Sequence, residues 1–63
     1  MPETRREMAL RHVISGREII AAQKERIERR RAKGEDTAHD EALLVQYEHS
    51  QAIFEDDLMR LSE

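Results

Sequence analysis

Apolar side chains recur at steps of three, four and seven residues along most of this 63-residue chain. Heptad spacing of this kind places them on one face of a helix and predicts helices that pack together. The first stripe contains Leu10, Val13, Gly16, Ile20, Gln23 and Ile27, and the second contains Leu44, Tyr47, Gln51, Phe54, Leu58 and Leu61. No segment alternates apolar and polar residues over the length of a strand. The sequence therefore predicts an all-α fold, an antiparallel two-helix hairpin of the coiled-coil type.

Capping signals indicate where each helix begins and ends. Thr4 and Glu7 have the spacing of a capping box, and Gly34 suits the left-handed conformation found at helix C-termini. Thr37 and Asp40 repeat the capping spacing after the glycine. These signals predict a single domain over residues 1–63, with helix 1 over about 5–33, a turn over 34–37 and helix 2 over about 38–61.

The two stripes also predict how the helices align. Residues that face each other in an antiparallel hairpin have numbers with a near-constant sum, because one helix counts up while the other counts down. The stripes meet this condition with Leu10 opposite Leu61, Val13 opposite Leu58, Ile20 opposite Gln51, Ile27 opposite Leu44, Gly16 opposite Phe54 and Gln23 opposite Tyr47. A glycine inside a helix costs about 1 kcal/mol relative to alanine. We therefore expect Gly16 to make room for the Phe54 ring.

The charge is strongly polarised along the chain. Residues 1–33 carry ten basic and five acidic side chains, a net of +5, whereas residues 34–63 carry one basic and nine acidic, a net of −8. The predicted register places a basic row beside an acidic row, namely Arg17, Lys24 and Arg31 beside Glu55, Glu48 and Glu41. We expect these rows to form an ion-pair ladder. Each exposed pair contributes only about 0.2–1 kcal/mol, so the ladder would select register more than it stabilises.

A hairpin of this size has little core, and apolar residues remain outside the stripes. A domain of about 60 residues buries only about 60% of its unfolded surface. One side of the hairpin is expected to carry a dimer interface formed by Met8, His12, Ile19, Leu43, Tyr47, Ser50, Phe54 and Leu61. The other side offers Ile14, Ala21, Val45, Ala52 and Met59 and stays open as the alternative. The sequence thus predicts a homodimer that forms an antiparallel four-helix bundle.

The chain shows no residue pattern typical of catalysis or of cofactor binding. It has no cysteine, which excludes disulfides and thiolate metal sites. The histidines (His12, His39, His49), the serines (Ser15, Ser50, Ser62) and the acidic run Glu55–Asp57 lack the spacing of a metal, nucleophile or acid/base site. Asp36, His39 and Asp40 could hold a divalent ion weakly, although a helix cap beside a solvated histidine is favoured. We expect no enzyme activity and no cofactor.

Nucleic acid and membrane are not the partners that the sequence favours. A basic cluster ends helix 1, formed by Arg26, Arg29, Arg30, Arg31 and Lys33. Positive charge complements the negative end of a helix, and no aromatic residues interleave for base stacking. No apolar run approaches the roughly 20 residues of a membrane span. We expect the protein to be cytoplasmic. Nucleic-acid binding by the basic cluster is the weakest of the alternative functions.

Several short strings carry a resemblance to known proteins. They are Arg11-His12-Val13, Gly16, Ile20, Gln23, Ile27, Gly34-Glu35-Asp36-Thr37-Ala38, Leu43-Leu44, Tyr47-Glu48 and Ser50-Gln51. The chain resembles small bacterial helical-hairpin proteins of unknown function, and this resemblance implies no activity and no cofactor. Ser50-Gln51 is also faintly similar to the Ser-Gln-Glu-Leu-Asp motif of the Spo0E-like aspartyl-phosphate phosphatases. Here Ala52, Ile53 and Phe54 follow, so the Leu-Asp element is absent.

Two classes of function follow from these observations. The leading hypothesis is a non-enzymatic protein–protein interaction or regulatory module, which acts as a homo-oligomeric helical bundle. A further protein partner, not identified by the sequence, would dock on its spare apolar face or on acidic helix 2. The similarity to the phosphatases implies the alternative, a regulatory phosphatase or modulator of a phosphorylated receiver domain. In that reading Gln51 or an acid of helix 2 would align a water.

Overall fold

The computed structural model describes residues 2–62 and consists of two helices joined by a short turn. Helix α1 spans Arg5–Ala32 and helix α2 spans Ala38–Ser62. The two pack against each other as an antiparallel hairpin, and the described residues contain no strand. The predicted all-α hairpin is confirmed, and the helix ends lie within one residue of the predicted ends.

Local hydrogen bonds explain both ends of α1. The Thr4 hydroxyl accepts a hydrogen bond from the Glu7 amide (3.1 Å), and the Glu7 carboxylate accepts one from the Thr4 amide (3.3 Å). At the other end Gly34 has a φ of 76°, a conformation that costs glycine nothing. The amides of Gly34 and Glu35 donate to the carbonyls of Arg31 and Arg30, each at 3.0 Å, which completes a Schellman motif. The capping box and the glycine stop are confirmed.

The start of α2 differs from the prediction. The Ala38 amide donates to Asp36 Oδ1 at 2.9 Å, so Asp36 provides the side-chain cap. Asp40 does not complete a capping box with Thr37, because its carboxylate accepts a hydrogen bond from Arg30 Nη1 at 2.8 Å. Asp40 lies four residues before Leu44, which places it on the face of α2 that meets α1. It is only 4% exposed, so the predicted second capping box is wrong.

The core between the helices is small and contains several polar groups. Its buried apolar residues are Ala9, Val13 and Ile27, and its buried polar residues are Gln23, Thr37, Asp40 and Gln51. Gln23 Nε2 donates to the Asp40 carbonyl and Gln51 Nε2 donates to the Val13 carbonyl, each at 2.8 Å. These bonds link the two helices, one close to the turn and the other near the middle of α2. The hairpin is therefore held by side-chain amides as well as by apolar contact.

Ala9, and not Leu10, completes the seam of α1. Leu10 is 47% exposed, whereas Ala9 is buried. The step from Gly16 back to Val13 is three residues, so the next residue on the same face lies four residues further back, at position 9. The prediction that Leu10 faces Leu61 across the core is therefore wrong, and Leu61 is itself exposed.

Gly16 makes room for Gln51 and not for Phe54. A Cβ atom at position 16 would overlap the side-chain amide oxygen of Gln51. The Gln51 amide crosses α1 to reach the Val13 carbonyl, so the residue of α1 that it passes must lack a side chain. The predicted pairing of Gly16 with the Phe54 ring is wrong, since that ring packs against His12.

Candidate protein-interaction surface

An apolar groove runs along one side of the hairpin, between α1 and α2. It consists of two clefts that share Phe54. The first, of about 280 Å³, is lined by Arg5, Met8, Ala9, His12, Phe54, Asp57 and Leu61. The second, of about 170 Å³, is lined by Gly16, Ile19, Tyr47, Ser50, Gln51 and Phe54. We refer to these two clefts together as the apolar groove.

Phe54 and His12 form the centre of the groove. Their ring centroids lie 5.0 Å apart with an interplanar angle of 58°, a tilted packing that aromatic rings favour. His12 immediately precedes buried Val13, so it stands at the edge of the seam, where it can cover Phe54. The stacking leaves Phe54 half-buried, with its remaining surface in the groove.

The structure brings together most of the residues that the sequence assigned to an interface. The members that line the groove are Met8, His12, Ile19, Tyr47, Ser50, Phe54 and Leu61. Leu43 is half-buried and lines neither cleft. Arg5 and Asp57, which the sequence did not assign to the interface, also line the first cleft. Arg5 lies seven residues before His12 and Asp57 lies seven residues after Ser50, so heptad spacing from these two interface residues could have identified both.

The opposite side of the hairpin is ionic. Arg17 Nη2 lies 3.3 Å from Glu55 Oε1, and Arg31 forms an ion pair with Glu41. Among the described residues Lys24 and Glu48 form no ion pair within 4.0 Å, so two of the three expected rungs are present. All the paired side chains keep about half or more of their surface in water. Such pairs contribute little stability, but they give this side a charged surface.

Arginine side chains at the turn surround the buried Asp40 carboxylate. Arg30 Nη1 lies 2.8 Å from Asp40 Oδ2, and Arg26 Nε lies 3.7 Å from Oδ1. Arg30 also approaches Glu35, at 3.8 Å. Asp40 thus faces guanidinium groups and Asp36 caps α2, so these carboxylates do not converge with His39. Within residues 2–62 no group of three acidic or histidine side chains could hold a metal ion.

Most arginines of the basic cluster at the end of α1 form ion pairs within the chain. Arg26, Arg30 and Arg31 each pair with an acidic side chain of the turn or of α2. Arg29 and Lys33 are exposed. Much of the positive charge is therefore opposed by carboxylates within the chain.

The residues considered for catalysis are engaged in separate contacts. Gln51 is buried, and its Nε2 is bound to the Val13 carbonyl. Glu55 pairs with Arg17, Asp56 pairs with Arg60 at 2.8 Å, and Asp57 faces the groove.

The serines likewise form no common site. The Ser62 hydroxyl donates to the Leu58 carbonyl, Ser50 lines the groove, and Ser15 is exposed on α1. Within residues 2–62 no serine is hydrogen-bonded to a histidine or to a carboxylate.

Comparisons of the chain with protein-family models, with curated proteins and with solved structures find no match. The resemblance to bacterial helical-hairpin proteins and to the phosphatases stays a prediction. Neither helix, over the residues described, has a stretch long and apolar enough to cross a membrane.

Proposed function

We propose that the protein is a non-enzymatic interaction module that acts as a homodimer, with the apolar grooves of two copies packed together in a four-helix bundle. The observation that carries this proposal is the excess of exposed surface. The hairpin exposes 5219 Å². A compact monomer of 7.4 kDa would expose about 4,200 Å². The excess of about 1,000 Å² is close to the roughly 800 Å² that each partner buries in a standard interface.

The shape of the molecule supports the same conclusion. Its radius of gyration is 14.7 Å and its extents are 48 × 20 × 14 Å. A compact chain of this length has a radius of gyration of about 10.6 Å. Two helices cannot enclose a core, because each has only one neighbour. A second hairpin gives every helix two neighbours, which is the arrangement of a four-helix bundle.

The groove is a better dimer interface than the ionic side. Packing a second copy over the ionic side would remove Arg17, Arg31 and their partner carboxylates from water. The free-energy cost of this desolvation can exceed the attraction within each ion pair. The groove presents apolar side chains between the helices, with Arg5 and Asp57 confined to one end. A two-fold axis through the groove buries the same residues on both copies. Both copies then bury Ile19 and Phe54 in the interface.

Sedimentation equilibrium over a range of protein concentrations tests this proposal. Ile19→Glu places a charge in the groove, whereas Ile14→Glu makes the same change on the other side of α1. Ile14→Glu is a matched control, because Ile19 and Ile14 are 49% and 47% exposed. We expect the native chain and Ile14→Glu to be dimers and Ile19→Glu to be a monomer. A native monomer at all concentrations would contradict the proposal, and loss of the dimer only in Ile14→Glu would place the interface on the other side.

A further inference from the structure

The outer face of α2 carries a second apolar stripe, which the groove dimer leaves uncovered. Val45, Ala52 and Met59 lie at intervals of seven residues, so they share one face of the helix. Val45 is 65% exposed and Met59 is 68% exposed. We call these three residues the outer stripe. It lies on the far side of the ionic row from the seam, and it faces away from the groove.

Acidic side chains follow the outer stripe along its length. Glu41, Glu48 and Glu55 precede the three apolar residues by four positions each and lie between the outer stripe and the seam. Glu48 is exposed, and no ion pair to it is found within the described part of the chain. The side chains of Glu41 and Glu55 are 49% and 46% exposed even though each is paired with an arginine. All three carboxylates can therefore accept contacts from a second helix.

Helix α1 shows what kind of helix this acidic row accepts. It packs its own apolar stripe on the seam of α2 and directs Arg17 and Arg31 to Glu55 and Glu41. The acidic row has the outer stripe on its other flank, in the same heptad spacing. A helix that carries an apolar stripe beside a Lys/Arg row matches this flank in the same way.

We propose that the outer stripe docks a basic amphipathic helix of another protein. The inference rests on the proposed function and names the chemistry of its partner. A second copy of this chain fits less well. The outer positions of α1 run Ile14, Ala21 and then Glu28, so the third position would bring a carboxylate against the acidic row. The net charge of −8 over residues 34–63 also favours a basic partner.

Fluorescence anisotropy with a labelled synthetic helix tests the proposal. The probe is a peptide of about three heptads with leucine at the stripe positions and lysine on both flanks. Its control has glutamate in place of lysine. We expect the full-length native protein to bind the basic peptide and not the acidic one. We also expect affinity to fall as salt is raised, because exposed charges are screened.

Two variants that add the same charge locate the binding site. Ala52→Lys places a cation in the outer stripe. Gln46→Lys, one residue after Val45, places it about 100° around the helix. Both positions are exposed. We expect Ala52→Lys to weaken binding by about tenfold or more and Gln46→Lys to leave it nearly unchanged. Equal losses in the two variants, binding of both peptides, or no binding would overturn the proposal.

Sedimentation of the same variants separates this inference from the proposed function. If Ala52→Lys and the native protein are both dimers and neither binds the peptide, the partner is wrong and the dimer stands. If Ala52→Lys sediments as a monomer while the native protein and Gln46→Lys sediment as dimers, a second copy occupies the outer stripe. That result would overturn the basic-helix proposal. Circular dichroism of each variant confirms that a lost signal does not reflect unfolding.

Discussion

At the scale of single residues, Gly16 and Gln51 show how a polar side chain is built into the seam. Gln51 crosses from α2 to donate to the Val13 carbonyl on α1, and Gly16 leaves the space through which it passes. The Gln51 oxygen is buried without a hydrogen-bond partner among the described residues. A buried, unpartnered acceptor costs about 1–3 kcal/mol, so the pair trades stability for a defined register.

Gly16→Ala is predicted to destabilise the hairpin. Helix propensity alone would make alanine about 1 kcal/mol better than glycine. The added Cβ would overlap the Gln51 amide oxygen, and we expect the shift that relieves this overlap to break the bond from Gln51 to the Val13 carbonyl. We expect a net loss of about 1–3 kcal/mol. Urea denaturation followed by circular dichroism, at a fixed protein concentration, measures it.

Two further variants make this prediction specific. Ser15→Ala, at an exposed neighbouring position, should change stability by no more than a few tenths of a kcal/mol. In a Gln51→Ala background the overlap is absent, so Gly16→Ala should become stabilising. If Gly16→Ala stabilises the native chain as well, the close approach of Gln51 does not govern this position.

At the scale of the helices, the ionic side aligns α1 against α2. Exposed ion pairs contribute little, but like charges in register oppose the pairing. Arg17→Glu should therefore cost about 0.5–1 kcal/mol, because it places a carboxylate beside Glu55. The swap Arg17→Glu with Glu55→Arg keeps composition and net charge and should recover most of the loss. Urea titrations at low and high salt measure both, and the loss should shrink as salt rises.

A different result would assign the ionic side another role. If the swapped variant is as unstable as Arg17→Glu alone, the two side chains do not interact in solution. The charged rows would then serve mainly to keep that side of the hairpin in water.

At the scale of the whole molecule, stability should depend on protein concentration. Three apolar residues are buried within residues 2–62, too few to stabilise a chain of this length by themselves. Association adds stability to the folded state by mass action. We expect the Tm of the native protein to rise with protein concentration, and the Tm of Ile19→Glu to be lower and insensitive to it. Thermal scans over about a hundredfold range of concentration test this, and a constant native Tm would contradict the dimer.

The sequence by itself determined the secondary structure of the described residues. The bonds that begin and end α1 join residues within five positions of each other, as between Thr4 and Glu7 or between Arg30 and Glu35. Short-range bonds of this kind depend on residue type and spacing, which a sequence states directly. The ionic pairing of Arg17 with Glu55 and of Arg31 with Glu41 also followed from heptad spacing.

Only the tertiary structure decided how the seam and the groove are formed. Asp40 has the spacing of a capping residue, yet the arginines of α1 draw its carboxylate into the interface. Gly16 faces Gln51, because the long Gln51 side chain passes Gly16 to reach the Val13 carbonyl. Heptad spacing does not identify a side-chain bond to a backbone carbonyl. The sequence left both sides of the hairpin open as interfaces, and the structure shows that most of the residues assigned to the first side line two clefts that share Phe54. Spacing places a residue on a helix face, but the rotamer and reach of its side chain are settled by the neighbours it meets.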